Sequence, residues 1–103
     1  MGYRLMTLPK SIRVAGLPIK IIRDNLSEDD CYGYYSHDRR AIVLEKTLTG
    51  EKLRTSFRHE LMHAALNIAG IAFCKAMEEE AVIRCMDEVF FPAWERFTKR
   101  THS

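Results

Sequence analysis

The run His59-Glu60-Leu61-Met62-His63 limits this chain more than any other feature. Its two histidines are four residues apart, and on an α-helix residues at that spacing share a face. A helix through this run therefore presents two imidazoles to one metal ion. Glu60 sits one step round, within reach of a water activated by that metal. The chemistry needs the helix, so the flanking residues must have a helical pattern.

They do. Leu53, Phe57, Leu61, Ala64, Ala65 and Ile68 recur at steps of three and four, the period of an apolar helical stripe. Thr49 is a suitable N-cap, and Glu51 in the first turn suits the helix dipole. Gly70 is a natural stop. The pattern predicts a helix over about 50–69.

Upstream, Leu17-Pro18-Ile19-Lys20-Ile21-Ile22-Arg23 reads as a strand. Cys31-Tyr32-Gly33-Tyr34-Tyr35-Ser36 reads as a second, and Ala41-Ile42-Val43-Leu44-Glu45 as a third. The polar run His37-Asp38-Arg39-Arg40 turns the last two into a hairpin. Residues 1–17 are mixed, broken by Pro9, Gly16 and Pro18. Downstream, Ala81, Val82, Cys85, Met86, Val89 and Phe90 form an apolar stripe on a helix over about 74–91. Pro92 ends or kinks that helix, or opens a short last one containing Trp94 and Phe97, which read as core or docking contacts. The expected fold is α+β: a small antiparallel three-stranded sheet packed on the motif helix and a second, ligand-bearing helix.

The 103 residues and 47% apolar content suit one compact domain over 1–103. A net charge of +2 is too mild to point to nucleic acid. No apolar run approaches a membrane span, so no membrane partner is expected. The N-terminal residues lack an apolar signal-peptide core. Three cysteines, Cys31, Cys74 and Cys85, fit no metal spacing. Cys74 and Cys85 on one helix would be about 16 Å apart, too far for a disulfide. Free, mostly buried thiols in a reducing cytoplasm are expected.

Two histidines hold zinc poorly, and a catalytic site uses three protein ligands with one open position. A third histidine six residues after the second is excluded, because Ala69 stands there and Leu66 replaces the intervening glycine. The acidic run Glu78-Glu79-Glu80 remains. At about 100° per residue, the centre of the downstream stripe falls between Glu78 and Glu79, while Glu80 points away and is expected in solvent. A carboxylate on the buried side needs a partner, and spacing alone leaves Glu78 and Glu79 level.

These residues resemble the ImmA/IrrE-like metallopeptidases and the minimal gluzincins, across about residues 17–92. The likeness lies in Tyr32-Gly33-Tyr34 and the strand Ala41-Ile42-Val43-Leu44. It continues in Phe57-Arg58-His59-Glu60-Leu61-Met62-His63-Ala64 and from Glu79 to Pro92. Such relatives close the second helix with bulky apolar residues and a proline thirteen positions after the ligand Glu, as Val89-Phe90-Phe91-Pro92 stands to Glu79. The resemblance thus implies zinc on His59, His63 and Glu79, with Glu78 as the alternative, and Glu60 as general base. It implies a cytoplasmic, phage or bacterial metalloendopeptidase acting on a protein or peptide substrate laid along a strand edge. Tyr34, Tyr35 and His37 are the nearest candidates for a second oxyanion stabiliser. The chain departs from the pattern at Val82 and Ile83, where relatives carry Ala-Asn, and lacks an Asp four residues after Glu79. The alternative expectation is a non-catalytic zincin-fold binding module whose metal is structural or lost.

Overall fold

The computed structural model describes residues 7–29, 31–70 and 76–102. The chain divides into two compact units, Met1–Ala72 and Phe73–Ser103.

The first unit is a sheet with one helix. Its strands are β1 (Ser11–Val14), β2 (Leu17–Asp24), β3 (Gly33–Ser36) and β4 (Ala41–Glu45), and its helix is α1 (Gly50–Ile68). The sheet order is β1-β2-β4-β3. β1 and β2 form an antiparallel hairpin pairing Val14 with Leu17. Ala15 and Gly16 make its two-residue turn, both with positive φ, +51° and +81°, as a mirror-image hairpin turn requires.

The coarse α+β expectation holds, but the sheet has four strands and is mixed rather than three-stranded and antiparallel. β1 was hidden because Ser11-Ile12-Arg13-Val14 is short and its turn lacks the usual Asn-Gly or Asp-Gly signal. β2 runs parallel to β4, pairing Ile21 with Ile42 and Arg23 with Leu44. β4 lies between β2 and β3 because all five of its residues are apolar or internally satisfied. Every one is buried, as in a strand covered on both faces. One face carries Ile19, Ile21, Ile42 and Leu44, clustered with Leu53 and Ala64 of α1, and Tyr35, Phe57, Leu61 and Ile68 pack around them. Burying each large aliphatic side chain contributes roughly 1.5–3 kcal/mol.

The connection from β4 into α1 is clamped. Arg23 donates from one guanidinium nitrogen to the carbonyls of Glu45 (3.1 Å), Lys46 (3.1 Å) and Leu48 (2.7 Å). The Glu45 carboxylate accepts the Leu26 amide (2.7 Å) and both the amide (3.0 Å) and hydroxyl (2.8 Å) of Thr47. These bonds hold its pKa below the ordinary glutamate value, the Leu26 amide most, against a smaller opposing effect of burial. α1 then starts after Thr49, whose side chain makes no capping bond. It stops at Gly70, where φ is +77° and the N–H reaches the Asn67 carbonyl at 3.2 Å.

The second unit is helical: α2 (Ala76–Cys85), one π-helical stretch at Met86–Phe90, and α3 (Phe91–His102). Residues 74 and 75, expected in the second helix, lie outside the described residues. Of the expected roles for Pro92, the last is the one observed: it stands second in α3 and so opens the final helix. Lacking an N–H, it cannot bond back to Glu88. The ladder adapts by one wide turn, the Phe91 N–H reaching Met86 O.

The buried side of α2 differs from the expected stripe. Ile83 is 0% exposed, whereas Val82 is 42% and Val89 64% exposed. Cys85 is exposed and Cys31 half-buried, so the expectation of mostly buried thiols fails for Cys85, while Cys74 lies outside the described residues. The pattern misled because Ala81, Val82, Cys85 and Val89 are apolar at helical spacing on the outer side, while a single isoleucine marks the inner one.

Candidate metal centre

α1 sorts the motif residues by its own period. Phe57, Leu61, Ala64 and Ile68 hold the sheet side, and Glu60, three after Phe57 and four before Ala64, shares that side. It is buried at 8% exposure. His59 and His63 are half-buried on the neighbouring row, their ring centroids 5.1 Å apart and edge-on at 63°. The helix thus presents two imidazoles side by side, with a buried carboxylate between them in sequence.

β3 meets Glu60. A β-carbon built at Gly33 would lie 3.5 Å from Glu60 Cγ, and only 2.8 Å from both Leu44 Cδ2 and the Val43 carbonyl. Glycine therefore lets the strand, its neighbour and the helix close together at this point. An isolated glycine in a strand is a sequence signal for such close approach, and Gly33 carried it.

The sheet leaves the same residues at an open edge. Glu45 donates its N–H to Tyr32 O at 2.8 Å. In the antiparallel register Gly33↔Leu44 and Tyr35↔Ile42, hydrogen-bonded pairs alternate with unbonded ones. Tyr34 and Ser36 therefore bond to β4, while the amides and carbonyls of Gly33 and Tyr35 point outward along the edge.

Of the candidate stabilisers, Tyr34 is 39% exposed, while Tyr35 packs against the core cluster. The Tyr35 hydroxyl and His37 Nδ1 are joined at 2.9 Å. Burial raises the Tyr35 pKa, offset in part by the positive charge of Arg40. A separate cavity of about 540 Å³ is lined by residues including Leu26, Cys31, Tyr32 and Glu45, and by none of the motif residues.

Around Ile83, the period of α2 re-sorts the acidic run. Glu79 lies four residues before Ile83 and Glu80 three before, so these two flank the buried side; Glu78 falls opposite. Glu79 is half-buried, Glu78 and Glu80 exposed. The expected solvation of Glu80 thus holds, while its expected place opposite the buried side does not. Among the described residues, the candidate donors for a metal ion are His59 and His63 on α1 of the first unit and a carboxylate of the acidic run on α2 of the second. Two imidazoles and one carboxylate are a donor set suited to zinc.

Comparison of the chain with protein-family models, with curated proteins and with solved structures found no match.

Proposed function

We propose that this chain is a zinc-dependent metalloendopeptidase of the gluzincin type. The observation that carries the reading is the arrangement on α1: His59 and His63 adjacent, and the buried Glu60 carboxylate held against the open-edged strand β3. His59 and His63 hold the metal with a carboxylate of the acidic run on α2. Glu79 and Glu80 both flank the buried side of α2, and Glu79 has the support of the family resemblance. Zinc, when bound, polarises a peptide carbonyl and lowers the pKa of a water to about 7.

Glu60 takes a proton from the attacking water and passes it to the leaving amine. Its place on the motif helix, one residue after His59 and buried against β3, supports this role. The substrate lies extended beside β3, pairing its backbone with Gly33 and Tyr35. That register brings the chain being cut past Gly33, where a β-carbon would lie 3.5 Å from Glu60 Cγ. Tyr35, paired with His37, is the candidate second stabiliser of the oxyanion.

The open edge of β3 would serve a non-catalytic module equally well, binding a partner strand without cleavage. Glu60→Gln separates the two readings. As an enzyme, the variant keeps about one zinc per chain and loses proteolysis of an unfolded protein substrate. Zinc absent from the wild type after incubation with the metal leaves the binding module.

A further inference from the structure

Phe90, Trp94 and Phe97 are spaced four and three residues apart, on one side of the helical run that ends in α3. They are 46%, 51% and 54% exposed, and Val89 beside them is 64% exposed. The rings form a ladder. Phe90 stacks on Trp94 with centroids 6.3 Å apart and planes 7° from parallel, and Trp94 meets Phe97 at 5.5 Å. Large aromatic side chains are enriched in buried contacts and at interfaces, so a continuous exposed row marks a binding surface.

The other side of the helix states what kind of surface it meets. At about 100° per residue, Arg96 and Lys99 fall on the half turned away from the rings, and both are exposed. Over Phe91–His102 the sequence carries three basic residues, Arg96, Lys99 and Arg100, against one acidic residue, Glu95. Aromatic residues on one side and cations on the other are the composition of a helix lying in a lipid headgroup layer. Such a helix needs no span, so it is compatible with the finding that no described helix is long and apolar enough to cross a membrane.

A second copy of the chain is the less suitable occupant. At about half exposure, three such rings offer roughly 300 Å², well below the ~800 Å² per partner of a standard specific interface. A bilayer supplies apolar depth without a complementary pocket, and its anionic headgroups match the basic excess.

We propose that α3 and the last residue of the π-helical stretch before it, through Phe90, Trp94 and Phe97 with Arg96 and Lys99, bind the surface of an anionic phospholipid membrane. The inference rests on this helix alone and is independent of the metal site.

Trp94 is the chain's one tryptophan, so its fluorescence reports on this helix directly. The full chain is titrated with vesicles of phosphatidylglycerol and phosphatidylcholine, and with phosphatidylcholine alone, following emission and co-flotation. Emission is expected to move to shorter wavelength, and protein to float, with the anionic vesicles only. Phe97→Ser should abolish flotation while leaving the circular dichroism unchanged. Arg96→Gln with Lys99→Gln should weaken partition about twenty-fivefold, at roughly fivefold per basic residue. Absence of both shift and flotation with anionic vesicles overturns the proposal. So does undiminished binding by the Gln pair, or equal binding to both vesicle types. A blue shift without lipid that rises with protein concentration, alongside a dimer in sedimentation, assigns the rings to a second copy and likewise overturns it.

Discussion

A β-carbon on Gly33 would stand 3.5 Å from Cγ of Glu60, so the edge strand approaches the motif helix at the buried carboxylate between the two histidines. Gly33 does not have positive φ; what it supplies is space. Gly33→Ala must displace either Leu44 Cδ2 or the Val43 carbonyl, each 2.8 Å away. Overpacking of this kind costs roughly 1–3 kcal/mol. A lowered midpoint in urea unfolding is the expected result, and an unchanged midpoint would show that β3 is not held this closely.

The acidic run on α2 can be sorted by metal content. Glu80→Gln should reduce bound zinc sharply and Glu78→Gln leave it near one per chain, since Glu78 lies opposite Ile83. Glu79→Gln decides between the two carboxylates that flank Ile83: zinc lost with Glu79→Gln but kept with Glu80→Gln would assign the ligand to Glu79. Elemental analysis of the dialysed variants reads all three.

Glu45 makes the first unit sensitive to acid. Its carboxylate is stabilised in the charged form by the Leu26 amide and by Thr47, so its folded pKa lies below the unfolded one. The stability it contributes is fully present above the unfolded value near 4.3 and is lost as pH falls through the lower folded value. Unfolding midpoints measured from pH 7 down to 3 should therefore fall less steeply below about pH 4.3 in Glu45→Gln than in the wild type. Parallel curves would remove Glu45 from the account.

Ala15 occupies the left-handed region at φ +51°, where an L residue other than Gly or Asn pays roughly 1–2 kcal/mol. Ala15→Asn gives the turn an Asn-Gly pair and should raise the melting temperature by several degrees, on the order of 4–8 °C per kcal/mol for a domain this small. Scanning calorimetry on the two proteins checks it.

The two sides of α2 differ in what truncation costs. Ile83→Ala removes a fully buried side chain and should cost about 2–5 kcal/mol. Val82→Ala, at 42% exposure, should remain within about 0.5 kcal/mol. The reverse order in chemical denaturation would restore the outer stripe as the packing side.

The motif helix was legible from local rules because its signals are periodic and redundant. Leu53, Phe57, Leu61, Ala64 and Ile68 repeat over about four turns, and Gly70 closes the helix where a left-handed residue is needed. β4 was legible too, as a short apolar run. The position of β4 between β2 and β3, and the parallel pairing of β2 with it, were not, because strand order depends on which faces are covered. No residue in β2 records that its neighbour arrives after an excursion through β3. On α2, one isoleucine outweighs three apolar residues on the outer side, Ala81, Val82 and Cys85, and only burial reveals it.

The sequence by itself determined the candidate residues: two histidines and a glutamate on one helix, with the acidic run Glu78-Glu79-Glu80 downstream. Their types and their spacing on one helix are local properties of the chain. Tertiary structure decided which way each faces. Packing α1 on the sheet turned Glu60 inward and left His59 and His63 half-buried, and the absence of a side chain at Gly33 let β3 close over Glu60. The burial of Ile83 put Glu79 and Glu80 on one side of α2 and Glu78 on the other. Those choices come from excluded volume and burial between segments distant in sequence, which helical spacing cannot encode.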